Sequence, residues 1–183
     1  MTQRATPMND TPAQADQDDE PLARASVLLV DDTPENLVAM EVVLEELDCD
    51  PVSVTSGNAA LGQLLKREFA LVLLDVQMPG MDGFEVAELM RNYPRTKNVP
   101  IIFVTAISKE DRYVRRGYQA GAVDYLFKPL DPTILRAKVR FFLELDQQKR
   151  RLESKLARSR ASREALFAAY GDMLEQPLPP TEH

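Results

Sequence analysis

Short apolar runs alternate along the chain with longer stretches whose apolar residues have helical spacing. The apolar runs predict strands at Val27–Val30, Val52–Thr55, Ala70–Leu74, Ile101–Thr105 and Val123–Phe127. The stretches that predict helices are Pro34–Leu47, Asn58–Arg67, Phe84–Asn92, Lys109–Ala120 and Thr133 onward. Strands that alternate with helices of about 10–15 residues are typical of βαβ units and a parallel sheet. Five such units in about 120 residues predict a doubly wound α/β sandwich rather than an eightfold barrel, which needs about 250.

Composition divides the chain into four parts. Residues 1–25 are rich in Asp, Gln, Thr and Pro, and we expect a flexible acidic leader, because so few large apolar residues cannot offset the entropy of ordering. Residues 26–142 form the predicted α/β domain, residues 143–174 a helical extension and residues 175–183 a flexible tail.

The last predicted helix has a charge and a spacing of its own. Residues 133–170 contain ten Lys or Arg against four acids and no Gly or Pro. One heptad position holds Leu145, Leu152, Ser159, Leu166 and Met173, and the other holds Phe142, Lys149, Leu156, Arg163 and Tyr170. This pattern predicts a coiled-coil contact, formed first of all by a homodimer, whose seam the polar members weaken. A partner helix on an effector or kinase, or a single basic helix folded back on the acidic body, are the alternatives.

Composition also excludes several classes of function. Cys49 and His183 are the only residues of their kinds, so an internal disulfide, a Cys-based zinc site and Ser-His-Asp catalysis are ruled out. No apolar run reaches the roughly 18 residues of a membrane helix, and residues 1–10 lack the pattern of a secretory signal. We therefore expect a cytoplasmic protein without a membrane partner. The net charge of −7 argues against a general nucleic-acid binder.

Chemistry-bearing residues follow the predicted strands. Asp31 and Asp32 follow the first, Asp75 the third, Thr105 ends the fourth and Lys128 follows the fifth. Ligands of open α/β sheets bind at this edge, beyond the carboxyl ends of the strands. Clustered carboxylates need a cation, and oxygen ligands with few protein contacts suit Mg²⁺. A carboxylate nucleophile beside Mg²⁺, a lysine and a hydroxyl is the equipment for forming an aspartyl phosphate. The chain contains neither the Gly-x-x-x-x-Gly-Lys phosphate-binding loop nor the Gly-x-Gly-x-x-Gly dinucleotide-binding motif, which disfavours a nucleotide-binding enzyme.

These residues stand in motifs that resemble one family. Val30-Asp31-Asp32, the run from Leu73 to Gly83, Val104-Thr105-Ala106 and the run from Asp124 to Pro129 are similar to the receiver domain of two-component response regulators. The likeness covers about Ser26 to Phe142, and we expect no separate output domain after it, because only about 40 residues remain. It implies a flavodoxin-like (βα)5 fold with strand order 2-1-3-4-5. It also implies a phosphorelay, in which Asp75 accepts a phosphoryl group from a histidine kinase or a phosphotransfer protein.

The resemblance assigns roles by position. Asp31, Asp32, Asp75 and the backbone carbonyl of Gln77 would hold Mg²⁺. Lys128 and Thr105 would contact the phosphoryl oxygens, and Thr105 and Tyr125 would form the switch. The apolar Ile107 cannot orient an attacking water, which favours a long-lived phosphoryl group.

An enzyme is the alternative to a signalling receiver. Phosphatases of the haloacid dehalogenase type also form an aspartyl phosphate on an α/β fold. They require a second acid two residues after the nucleophile, where this chain has Gln77. We therefore expect a signalling receiver that acts only on its own phosphoryl group and switches dimerisation or the binding of an effector.

Overall fold

The computed structural model describes residues 23–106 and 121–175, with side chains as far as residue 171. Its strands are β1 (Ala25–Val30), β2 (Cys49–Val54), β3 (Leu71–Asp75), β4 (Ile101–Thr105) and β5 (Asp124–Phe127). Its helices are α1 (Pro34–Leu44), α2 (Gly57–Lys66), α3 (Gly83–Asn92) and α4 (Pro132–Glu175). The helix predicted at Lys109–Ala120 lies outside the described residues, as do Ile107, most of the predicted leader and residues 176–183.

All five strands are parallel and lie in the order β2-β1-β3-β4-β5, which confirms the predicted sheet. Two apolar layers cover its faces. One layer packs α2 and α3 against side chains such as Val72 and Phe103. The other packs α1 and the first turns of α4 against side chains such as Leu73 and Val104. Every residue of β3 and β4 is buried, as expected for central strands with helices on both faces.

Two predicted boundaries differ from the structure near β2. This strand begins at Cys49 rather than Val52, and it contains Pro51. A proline fits there because β2 is an edge strand, so its missing N–H removes no bond from the interior of the sheet. Helix α1 ends at Leu44, three residues before the predicted end. Leu47 is nevertheless buried, because it packs on the core from the connection between α1 and β2.

Helix α4 runs far beyond the sheet. It begins where Asp131 accepts hydrogen bonds from the backbone N–H groups of Thr133 and Ile134, at 2.7 and 3.2 Å. Leu135 and Val139 are buried against the core, whereas Leu152, Leu166 and Phe167 are about two-thirds exposed, at 67%, 70% and 70%. Its 44 residues span roughly 66 Å at 1.5 Å per residue. In the part of the chain that is described, no helix is both long and apolar enough to cross a membrane.

Candidate functional site

The parallel sheet brings three carboxylates to one edge. Asp31 and Asp32 follow β1, and Asp75 is the last residue of the adjacent strand β3. One oxygen from each carboxylate lies within 4.8 Å of the others. Asp31 and Asp75 are buried, at 0% and 3% exposed, and Asp32 is the more accessible of the three. The predicted cluster of acids is therefore present in the fold.

Lys128 joins two of these acids. Its Nζ donates to Oδ2 of Asp31 at 2.8 Å and to Oδ2 of Asp75 at 3.0 Å. The lysine follows β5, and its backbone N–H donates to the carbonyl of Thr105 at 2.8 Å, which fixes it beside the end of β4. The peptide bond between Lys128 and Pro129 is cis. Burial by itself lowers the pKa of the Lys128 ammonium, but the bonds and charges of Asp31 and Asp75 outweigh it and raise that pKa.

The other oxygen of Asp31 is held by the start of α1. Oδ1 accepts the backbone N–H of Thr33 at 3.0 Å and the side-chain amide of Asn36 at 2.9 Å. Asn36 was not among the predicted site residues. The predicted helix start at Pro34 places Asn36 in the first turn beyond the strand end, which is the signal that could have found it.

Asp75 has a less balanced environment. Burial raises the pKa of its carboxyl above the ordinary value, while the bond from Lys128 and the backbone N–H of Gln77, 3.2 Å from Oδ1, lower it in part. The net direction is upward because desolvation is the largest effect and Asp31 adds a second negative charge. The side chain of Gln77 is exposed.

Gly83 lies against the backbone of Asp75. Its N–H donates to the carbonyl of Val76 at 3.0 Å, and a Cβ at this position would lie 2.3 Å from the carbonyl oxygen of Asp75. Only a glycine allows α3 to begin so close to the end of β3. No sequence pattern indicates this close approach. Gly80, in the loop between β3 and α3, has a φ of +80°, a conformation that favours glycine.

Thr105 and Tyr125 lie on the same side of the sheet. Thr105 is the last residue of β4, is 3% exposed and pairs in register with Phe127. Tyr125 is 8% exposed, and its ring centroid lies 5.5 Å from that of Phe103 and 6.3 Å from that of Phe127. Because side chains alternate along strands, Thr105 and Phe103 share a face, and so do Tyr125 and Phe127. The predicted switch residues thus border one buried aromatic row.

The donor set fits a hard divalent cation. Three carboxylates within 4.8 Å of one another offer oxygen ligands only, and the single described cysteine, Cys49, is buried elsewhere in the core. Hydrogen bonds from Asn36 and Lys128 orient Asp31, and one from Gln77 orients Asp75. Oxygen ligands of this kind suit Mg²⁺, which keeps several waters and binds few protein groups.

A sequence model of the response regulator receiver domain matches residues 27–140 of this chain. The chain belongs to the response regulator receiver domain family. A Vibrio cholerae protein named "Probable cyclic di-GMP phosphodiesterase" is 37% identical over 131 residues, which are 71% of this chain and 29% of that protein. Response regulator PleD of Caulobacter vibrioides is 35% identical over 132 residues, 69% of this chain and 29% of that protein.

Solved receivers have the same fold. The chemotaxis protein CheY4 of Vibrio cholerae is similar with a TM-score of 0.62 and 28% identity, and the likeness covers 66% of this chain and 99% of CheY4. This confirms the flavodoxin-like fold. The receiver spans less than a third of the length of the two curated relatives, so their whole-protein activities belong to those proteins.

Proposed function

We propose that this receiver accepts a phosphoryl group on Asp75 from a histidine kinase or a phosphotransfer protein and then changes its binding surface. The main support is the position of the Lys128 ammonium, whose Nζ lies 2.8 Å from Oδ2 of Asp31 and 3.0 Å from Oδ2 of Asp75. These groups meet at the edge of the sheet beyond the carboxyl ends of the strands. A fixed ammonium at this point can balance the charge of an incoming phosphoryl group.

The transfer exchanges one bond for another. A carboxylate oxygen of Asp75 attacks phosphorus while the bond from phosphorus to the imidazole nitrogen of the donor breaks, and that nitrogen keeps the electron pair. Asp75 must be ionised to attack, and Lys128 favours this state by donating to it. Thr105, at the end of β4, is the proposed donor to a phosphoryl oxygen.

Mg²⁺ is the proposed cofactor, held by Asp31, Asp32, Asp75 and the backbone carbonyl of Gln77. When bound, it would supply positive charge at the transferred group. Asn36 and the N–H of Thr33 keep Asp31 in place for this task. We also propose a bacterial cytoplasmic setting, since both of these relatives are bacterial proteins.

Labelling with acetyl phosphate tests the proposal. The protein should acquire one acid-labile phosphoryl group in the presence of Mg²⁺ and none after chelation. Asp75→Asn should abolish labelling, whereas Asp82→Asn, a carboxylate that caps α3, serves as the matched control and should label normally. Acid-stable label on a serine or threonine, or equal labelling of Asp75→Asn, would show that Asp75 is not the acceptor.

The phosphatase alternative has less support. The position two residues after Asp75 is Gln77, whose amide cannot act as a general acid or base. A receiver should label itself and turn over p-nitrophenyl phosphate slowly if at all. Many turnovers per minute, lost in Asp75→Asn, would favour the phosphatase.

The switch is proposed to run from Thr105 to the aromatic row at Tyr125. We expect Thr105→Ala to accept phosphate but to lose most of the change in partner binding, because the hydroxyl is the link between the phosphoryl group and that row. Thr96→Ala, another buried threonine, is the control. Partner affinity should be measured for labelled and unlabelled forms of each. A full response in Thr105→Ala would refute the coupling.

The output is proposed to pass through α4. Its distal half is exposed and carries the apolar heptad positions, so a second copy of the chain is the first proposed partner and an effector protein the second. Nucleic acid is disfavoured by the net charge of −7.

A further inference from the structure

The distal part of α4 carries an excess of positive charge. Residues 149–163, the basic segment, hold seven Lys or Arg and one acid, Glu153. Lys149 lies 3.9 Å from Glu153, and Arg150 pairs at 2.6 Å with Asp146 in the preceding turn. The formal net charge of these fifteen residues is therefore +6, which favours an acidic binding partner.

The first described residue, Ala23, contacts the start of the basic segment. The carbonyl of Ala23 accepts a hydrogen bond from Nη1 of Arg150 at 2.7 Å. Beside this contact lies a cavity of about 150 Å³, whose lining includes the cations Arg24, Arg67, Arg95, Lys149 and Arg150 against the acids Glu68 and Asp146. Ala23 therefore lies within hydrogen-bond distance of the first turn of the basic segment.

The residues that precede Ala23 have the opposite charge. Residues 1–22 contain five acids and one base, and four of the acids stand together as Asp16, Asp18, Asp19 and Glu20. Seven residues, from Asp16 to Ala23, reach at most about 25 Å. Lys155 and Arg158 lie only about 7 and 12 Å along the helix from Arg150. The acidic run is therefore long enough to reach the middle of the basic segment.

We propose that residues 16–20 of this chain dock on the basic segment of α4. Each exposed ion pair is weak, but the run offers four carboxylates at once. The covalent link at Ala23 holds them near the helix at an effective concentration in the millimolar range. An acidic segment of another protein would have to displace this intramolecular occupant, so the leader sets a threshold for partners that bind α4. The proposal does not depend on phosphorylation.

Zero-length cross-linking of carboxylates to lysines tests the docking. The whole protein, mixed equally with a copy labelled with nitrogen-15, is treated with a carbodiimide and digested, and the peptides are identified by mass. We expect links from residues 16–20 to Lys149 or Lys155 in which both peptides carry the same isotope. Their yield should fall about fivefold between roughly 0.05 and 0.5 M salt, because the Debye length shrinks.

A pair of variants separates attraction from mere proximity. Arg158→Gln with Arg163→Gln keeps both reacting groups, keeps good helix formers and removes two attracting charges, so the link to Lys155 should fall several-fold. Lys66→Gln with Lys97→Gln removes two exposed charges that lie outside the basic segment and should leave the yield unchanged. If about half of the links carry mixed isotopes, which is the share expected in an equal mixture when the leader docks on another copy, the proposal is overturned. So would links that neither salt nor the arginine changes reduce.

Discussion

At the scale of single residues, Asp75 is a functional group that opposes folding. Burial raises the pKa of its carboxyl, so the ionised form costs free energy in the folded state. The Asp75 carboxyl contributes most to the free energy of unfolding below its unfolded pKa of about 3.9. This contribution is lost as the pH rises through the raised pKa of the folded state.

We therefore expect Asp75→Asn to raise the free energy of unfolding at pH 7 without divalent cations, by on the order of 1 kcal/mol. This gain in stability should shrink as the pH falls toward 4. Added Mg²⁺ should also reduce it at pH 7, because only the wild type keeps all three carboxylates to bind the ion. Urea unfolding at several pH values measures this, with the exposed Glu88→Gln as control. A wild type more stable than Asp75→Asn at pH 7 without Mg²⁺ would contradict it.

Two glycines give opposite results when changed to alanine. At Gly83 the new Cβ would meet the carbonyl oxygen of Asp75 at 2.3 Å, so α3 and the end of β3 must move apart. We expect a loss of about 1–3 kcal/mol and slower phosphorylation by acetyl phosphate. Gly62 in the middle of α2 has open space around it, and Gly62→Ala should gain about 0.5–1 kcal/mol with unchanged labelling. Denaturation midpoints that shift equally would refute the contact at Asp75.

At the scale of elements, Arg91 ties α3 to the segments that precede β4 and β5. Its guanidinium donates to the carbonyls of Lys97, Val99 and Gly121, at 2.8, 2.9 and 2.6 Å. Arg91→Lys cannot reproduce this fork and should lose about 1–3 kcal/mol in urea unfolding. Arg95 is exposed and lies in the connection between α3 and β4, so Arg95→Lys should change the free energy of unfolding little. Equal unfolding midpoints for the two variants would show that the fork contributes nothing.

The central strands could be predicted from sequence because their signal is simple. Runs such as Ile101–Thr105 are apolar throughout, since helices cover both faces of the sheet, and that strand has the predicted bounds. The edge strand β2 was predicted three residues late at its start, because Cys49, Asp50 and Pro51 do not have an apolar pattern. Pairing with β1 makes these residues a strand, and pairing is not a local property.

The residues of the candidate site also fall into those that the sequence predicts and those that it does not. Asp31, Asp75 and Lys128 could be predicted to meet because each stands at a strand end and parallel strands end at one edge. Asn36 and Gly83 could not be found by that rule. One acts through its place in a helix turn and the other through the side chain that it lacks, and both depend on distances between elements.

At the scale of the whole molecule, α4 separates a folded body from an exposed arm. Leu152, Leu156, Leu166, Phe167 and Tyr170 are between 53% and 70% exposed. A homodimer would bury this row, and in a parallel pair Lys149 and Arg163 would each face its own copy across the seam. Raising the salt screens that repulsion, so association should strengthen between about 0.05 and 0.3 M salt.

Light scattering at protein concentrations of tens of micromolar tests whether the exposed part of α4 forms a dimer contact. The measurement is made with and without beryllofluoride, a mimic of the phosphoryl group. The whole chain should be dimeric, and a version ending near Leu145 should be monomeric, because the heptad residues beyond it supply the contact. Leu152→Ser with Leu166→Ser should also be monomeric, since both changes remove apolar side chains from the row. Ala157→Ser with Ala168→Ser makes a similar change in helix propensity away from the row and should stay dimeric. If the whole chain is monomeric in every condition, the exposed row must instead contact another protein.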